Sequence, residues 1–102
     1  MIERRSGKRF RVKWPVRVER IDDGGASFTQ NGVLKNISSQ GALLLVERPL
    51  PTGARLDVYI SLPTKGRKWM KYSASVVRVH SEASLFGAAV RFDSPEPEFA
   101  AI

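Results

Sequence analysis

At 102 residues and 42% hydrophobic content, the chain has material for one domain around a single core and none for a second. It contains no cysteine, which excludes disulfides, thiolate metal sites and cysteine nucleophiles together and fits a reducing compartment. The net charge of +7 is unevenly spread: the first twenty residues carry eight Lys or Arg against Glu3 and Glu19, whereas the remainder carry nine against eight. A surplus gathered at one end points to an anionic partner there, phosphate above all.

The opening stretch, Glu3-Arg4-Arg5-Ser6-Gly7-Lys8-Arg9, is too polar to pack and too short and Gly-broken to form a helix. It reads as a flexible anion-seeking segment, residues 1–9. No apolar run follows it, so it is not a secretory signal, and no stretch approaches the roughly 20 apolar residues that span a bilayer. The expected location is the cytoplasm.

From Phe10 the pattern becomes strict alternation: Phe10, Val12, Trp14, Val16 and Val18 on one face, Arg11, Lys13, Arg17 and Glu19 on the other. That is a half-buried strand, and Pro15, which cannot donate to a ladder, places it at an edge or a bulge. Asp22-Asp23-Gly24-Gly25 supplies a turn. A second strand is expected from about Ser27 to Ile37, with Gly32 as a bulge or kink, ending in the turn Asn36-Ile37-Ser38-Ser39-Gln40-Gly41.

Ala42 to Val46 is a continuous apolar run, as in a short strand covered on both sides or lying at a barrel seam. Arg48-Pro49-Leu50-Pro51-Thr52-Gly53 breaks it. Leu56, Val58, Ile60 and Leu62 then alternate with polar residues, Pro63-Thr64-Lys65-Gly66 connects, and a long strand runs from Lys68 to His80. A turn over Ser81 to Ser84 leads into Leu85 to Phe92, with Phe86, Ala88, Val90 and Phe92 on one face. Six strands joined by short turns, with no amphipathic helix, predict an all-β, closed or nearly closed antiparallel barrel over residues 10–93. The stretch from Asp93, with Pro95 and Pro97, is expected to be loop with at most one helical turn, leaving 94–102 as a short tail.

Chemistry by the protein itself has little to work with. The single His80 sits at an exposed-looking strand end, and Asp22 and Asp23 beside two glycines are ordinary turn residues. No nucleophile, base and orienting group present themselves and metal ligands are too few, so the chain is read as a non-enzyme with no metal or cofactor. Single-stranded nucleic acid is the competing partner class, with Trp14, Trp69 and Tyr72 as stacking platforms. Against it, Trp14 alternates in phase with core residues, and the charge is concentrated in one segment instead of tracking a groove.

Two motifs carry a sharper reading. Arg5-Ser6-Gly7-Lys8-Arg9 has the form RxxxR, and Asn36-Ile37-Ser38-Ser39-Gln40-Gly41 the form NxSxxG. Both in this order on a barrel pattern, with the closing Gly87-Ala88-Ala89-Val90-Arg91-Phe92, resemble the PilZ domain family, bacterial receptors for cyclic dimeric GMP (c-di-GMP) built on a six-stranded barrel. The resemblance covers nearly the whole chain. It implies that Arg5 and Arg9 take phosphates and guanine edges, that Asn36 and Ser38 hydrogen-bond the second purine surface, and that Gly41 keeps the turn open.

The chemistry suits those residue types, because Arg forks onto phosphate or the O6/N7 edge of guanine and stacks its plane on a ring, which Lys does not do. Arg4, just before the motif, matches a position where some family members carry another Arg and bind an intercalated ligand pair. The like charges of Arg4, Arg5, Lys8 and Arg9 are expected to keep the segment mobile until ligand orders it, and the chain length predicts that a protein partner reads the altered surface. A degenerate member acting only as a protein-interaction module is the other alternative, against which the intact motifs argue. The family's frequent C-terminal helix has no counterpart in the roughly ten residues after Phe92.

Overall fold

Alternating side chains oblige a sheet to turn one face inward, and the strands here satisfy that by closing on themselves. The computed structural model describes residues 10–21, 27–62 and 68–101. Its strands are β1 (Phe10–Ile21), β2 (Ser27–Ile37), β3 (Gly41–Val46), β4 (Arg55–Ser61), β5 (Lys68–Glu82), β6 (Leu85–Phe92) and β7 (Glu98–Ala101). The sheet order is β4-β1-β2-β3-β6-β5-β7, and β4 also pairs with β5. The first six strands therefore form a closed antiparallel barrel, as the alternation predicts, and β7 is an addition to it.

The inward residues make one continuous core. Val16 and Val18 of β1, Leu34 of β2, Leu44 of β3, Val58 and Ile60 of β4, Ala74 and Val76 of β5 and Ala88 of β6 are all buried in it. Trp14 packs against this core as its phase predicts. Tyr72 is buried and its ring stacks on Phe92, with centroids 3.8 Å apart. It is therefore no surface platform for a base, and burial pushes its hydroxyl pKa up.

Four local expectations are corrected. The tail is not simply loop: β7 pairs antiparallel with the start of β5, Lys71 opposite Glu98 and Lys68 opposite Ala101. Gly32 is not a bulge, because it stays in register between Val16 and Val46. The irregularity falls between Leu34 and Asn36, and Gly32 is needed because a Cβ there would lie 2.2 Å from the Leu45 carbonyl oxygen. The run Ala42 to Val46 is not covered on both sides; Ala42, Leu44 and Val46 are buried while Leu43 and Leu45 are half-buried on the outer face. The fifth strand continues to Glu82, and the tight turn is made at Ala83, with φ of 55°.

Pro15 lies opposite Val33 of β2, and β4 pairs with β1 only over Val16 to Glu19. Its missing N–H thus faces the side where β1 has no strand partner among the described residues. The β3–β4 connection is fixed by a polar residue in the inward phase of β2. Gln30 is buried, its Oε1 accepting from the Arg48 N–H at 3.2 Å and its Nε2 donating to the Arg48 carbonyl at 3.1 Å.

Candidate functional site

One end of the barrel gathers the start of β1, the β2–β3 turn, the end of β6 and the start of β5. Phe10 opposes Ile37 and Arg11 opposes Asn36, so the chain enters the barrel beside the NxSxxG turn. Arg4, Arg5 and Arg9 lie outside the described residues. The turn itself is closed by its own groups: the Ser38 N–H donates to the Gly41 carbonyl at 2.8 Å, and Ser38 Oγ accepts from the Gln40 N–H at 3.2 Å. Its other anchor is β6, whose Phe92 N–H donates to the Gln40 carbonyl at 2.8 Å.

Gly41 has a structural reason that the motif alone does not reveal. It is buried under β6, opposite Arg91, and a Cβ there would stand 2.2 Å from the Val90 carbonyl oxygen. Glycine is required there by the close approach of two backbones.

A cleft of about 490 Å³ opens beside this turn, lined by Ser39, Gln40, Arg91, Phe92 and Pro95. The motif residues Asn36, Ser38 and Gly41 frame it through the backbone without lining it. Asn36 sits one strand further, between Arg11 and Leu43. Arg91 was not singled out by sequence reasoning. It is exposed, it lines the cleft, and its side chain has neither an ion pair nor a hydrogen bond among the described residues. Its only advance signal is its phase, since Phe92 and Val90 point inward and Arg91 must point out.

An unpaired guanidinium beside a turn presenting exposed polar groups is suited to an anion with planar faces. The remaining polar clusters are committed to one another. On the outer barrel wall Arg17 stacks over the Tyr59 ring at 4.9 Å and pairs with Glu19 at 3.3 Å. Partial burial, with Glu19 nearby, pushes the Tyr59 hydroxyl up. Further along β5, the His80 ring lies against Gly87, where a Cβ would meet it at 2.3 Å, and its Nε2 is 3.4 Å from Glu82. Glu82 also takes Lys35 Nζ at 2.7 Å, which holds its carboxyl below the usual carboxylate value. Among the described residues no group of three His, Cys, Asp or Glu side chains is placed to hold a metal ion, and no helix is long and apolar enough to cross a membrane.

Comparison with known proteins bears on the fold and the family. The PilZ domain family model matches residues 3–101. Among solved structures the chain is similar to the inhibitor of motility MotI/DgrA of Bacillus subtilis, with a TM-score of 0.72 at 19% identity over 98% of this chain and 46% of that one. It is also similar to the PilZ domain of Escherichia coli YcgR with c-di-GMP, at 0.66 and 15% over 89% and 79%. A third likeness is to the K. pneumonia MrkH–c-di-GMP complex, at 0.57 and 21% over 90% and 45%. The chain thus spans less than half the length of MotI/DgrA and of MrkH. No curated protein matches it.

Proposed function

The chain belongs to the PilZ domain family, and from that premise we propose that it is a receptor for c-di-GMP whose binding site is the cleft beside the Ser38–Gly41 turn. The observation that carries this reading is the cleft itself: the exposed Arg91 side chain without a partner among the described residues, facing the NxSxxG turn at the barrel end where the basic N-terminus is attached. Two of the solved structures that resemble the chain hold c-di-GMP, which supports the same ligand.

In this reading Arg5 and Arg9 grip phosphates and guanine edges, Asn36 and Ser38 hydrogen-bond a purine, and Arg91 closes the far side of the cleft. Arg4 brings a third N-terminal guanidinium, suited to a stacked pair of ligands carrying about four negative charges. Four cations within residues 4–9 repel one another until phosphates neutralise them, so ligand binding draws that segment onto the barrel and alters the surface offered to a protein partner. A cytoplasmic site of action follows, where a soluble second messenger is met.

Calorimetric titration with c-di-GMP tests the proposal. Two ligands per chain are expected, with affinity falling about 100-fold, or about 2.7 kcal/mol, in Arg9→Ala. An unchanged affinity in that variant, or displacement of the dinucleotide by a single-stranded oligonucleotide at equal concentration, would overturn it in favour of a nucleic-acid barrel. A one-to-one ratio at saturation would remove the role given to Arg4.

A further inference from the structure

The short bridge between β6 and β7 has a hollow on each side. Pro95 faces the cleft of about 490 Å³ shared with Ser39, Gln40 and Arg91. Its neighbours Ser94 and Glu96 instead line a second cavity, of about 210 Å³, together with Lys71 and Glu98. Alternate residues of one strip of chain thus border two separate spaces.

The bridge is held firmly at only one end. The Asp93 N–H donates to the Ser73 carbonyl at 2.8 Å and the Asp93 carboxylate pairs with Arg55. Beyond Asp93 the only hydrogen bond of residues 94–97 among the described residues is internal, from the Glu96 N–H to Ser94 Oγ at 3.2 Å. Pro95 and Pro97 bring no N–H of their own. At the far end stands β7, four residues paired on one side with β5, on which Phe99 is 65% exposed. A strand that short, with its one large apolar side chain in solvent, belongs to the least stable part of the fold. With so few fixed bonds, what fills the two hollows decides where the bridge rests.

We propose that a ligand in the cleft locks this bridge and the β7 strand behind it, so that the C-terminal strand carries the binding signal to the surface around Phe99. The proposal rests on the reading of the cleft as the c-di-GMP site. A ligand that touches Pro95 binds the docked bridge better than the frayed one, and it shifts the population toward docked β7 by the ratio of those affinities. The coupling is reciprocal: docked β7 must raise ligand affinity by the same factor. The void behind the bridge makes this feasible, because Ser94 and Glu96 have room to move where a close-packed wall would hold them still.

Hydrogen exchange on the full chain, with and without saturating c-di-GMP, tests the coupling alongside calorimetry on a Phe99→Pro, Ala100→Pro double variant. The two prolines remove β7 pairing while β7 lies outside the closed barrel, and an unchanged far-UV circular dichroism spectrum and barrel melting temperature check that the barrel survives. Ligand is expected to slow exchange of residues 98–101 at least about threefold, and the double variant to bind about threefold to tenfold more weakly. Normal binding by the unaltered chain with no change at 98–101, or equal affinity in the double variant, overturns the coupling and leaves the receptor reading intact. Failure of the unaltered chain to bind c-di-GMP overturns both.

Discussion

At the barrel end where β3 passes into β4, Gln30 engages both main-chain groups of Arg48, Leu50 is 2% exposed, and the Gly53 N–H and Ala54 carbonyl bond to Val76. Around the cleft, by contrast, the Arg91 side chain has no hydrogen-bond or ion-pair partner among the described residues, and residues 94–97 bond only to themselves. The β3–β4 connection spends Gln30 and its own main-chain groups on holding its shape. The cleft keeps a guanidinium in reserve. The difference separates residues expected to hold the fold from residues expected, under the proposed function, to hold the ligand.

Gly41 gives the largest expected effect and the sharpest test of that separation, because it belongs to the NxSxxG motif yet sits against the Val90 carbonyl. Gly41→Ala is expected to cost about 3 kcal/mol of stability and to lower the melting temperature by roughly 15 °C. A variant that melts like the parent while binding no ligand would assign Gly41 to the ligand and break the division. Arg91→Ala should behave in the opposite way, with a melting temperature unchanged within about 2 °C and c-di-GMP affinity reduced about tenfold, or about 1.4 kcal/mol. Differential scanning calorimetry and isothermal titration on the same sample decide it. A loss of stability without a loss of affinity would move Arg91 to the structural class.

The smallest effect concerns Glu82, away from both regions' chemistry. Its folded pKa is lowered, first by the Lys35 hydrogen bond, so its stabilisation is present above its ordinary value of 4.5 and is lost as pH falls through the folded pKa. The melting-temperature advantage of the parent over Glu82→Gln should therefore be visible at neutral pH, shrink once the pH passes below that value, and fade in high salt as an exposed pair requires. An advantage that grows toward acid pH would contradict the sign.

The barrel strands were legible in the sequence because a pleated strand writes its burial directly into alternate residues, as Val16, Val18, Val58 and Ile60 do. The NxSxxG turn was legible because its residue types are constrained over six positions. Leu50 was not, since a leucine between two prolines looks like loop until the Gln30–Arg48 bonds fold that loop inward. The run Glu98–Ala101 was hidden as well, being too short and too close to Pro95 and Pro97 to show a period; only the free edge of β5 makes it a strand.

What the sequence determined by itself is local: strand periodicity, turn chemistry, the concentration of charge near the N-terminus and the residue types of the RxxxR and NxSxxG stretches. Tertiary structure decided what depends on partners far along the chain. It set Arg91 beside a turn about fifty residues earlier through the β3–β6 pairing, gave Gly41 its reason in the Val90 carbonyl, and hung β7 on β5 beyond a cleft. Alternation records which way a side chain points, whereas closure of the sheet selects which side chains meet, and that selection carries no signature in any single stretch of residues.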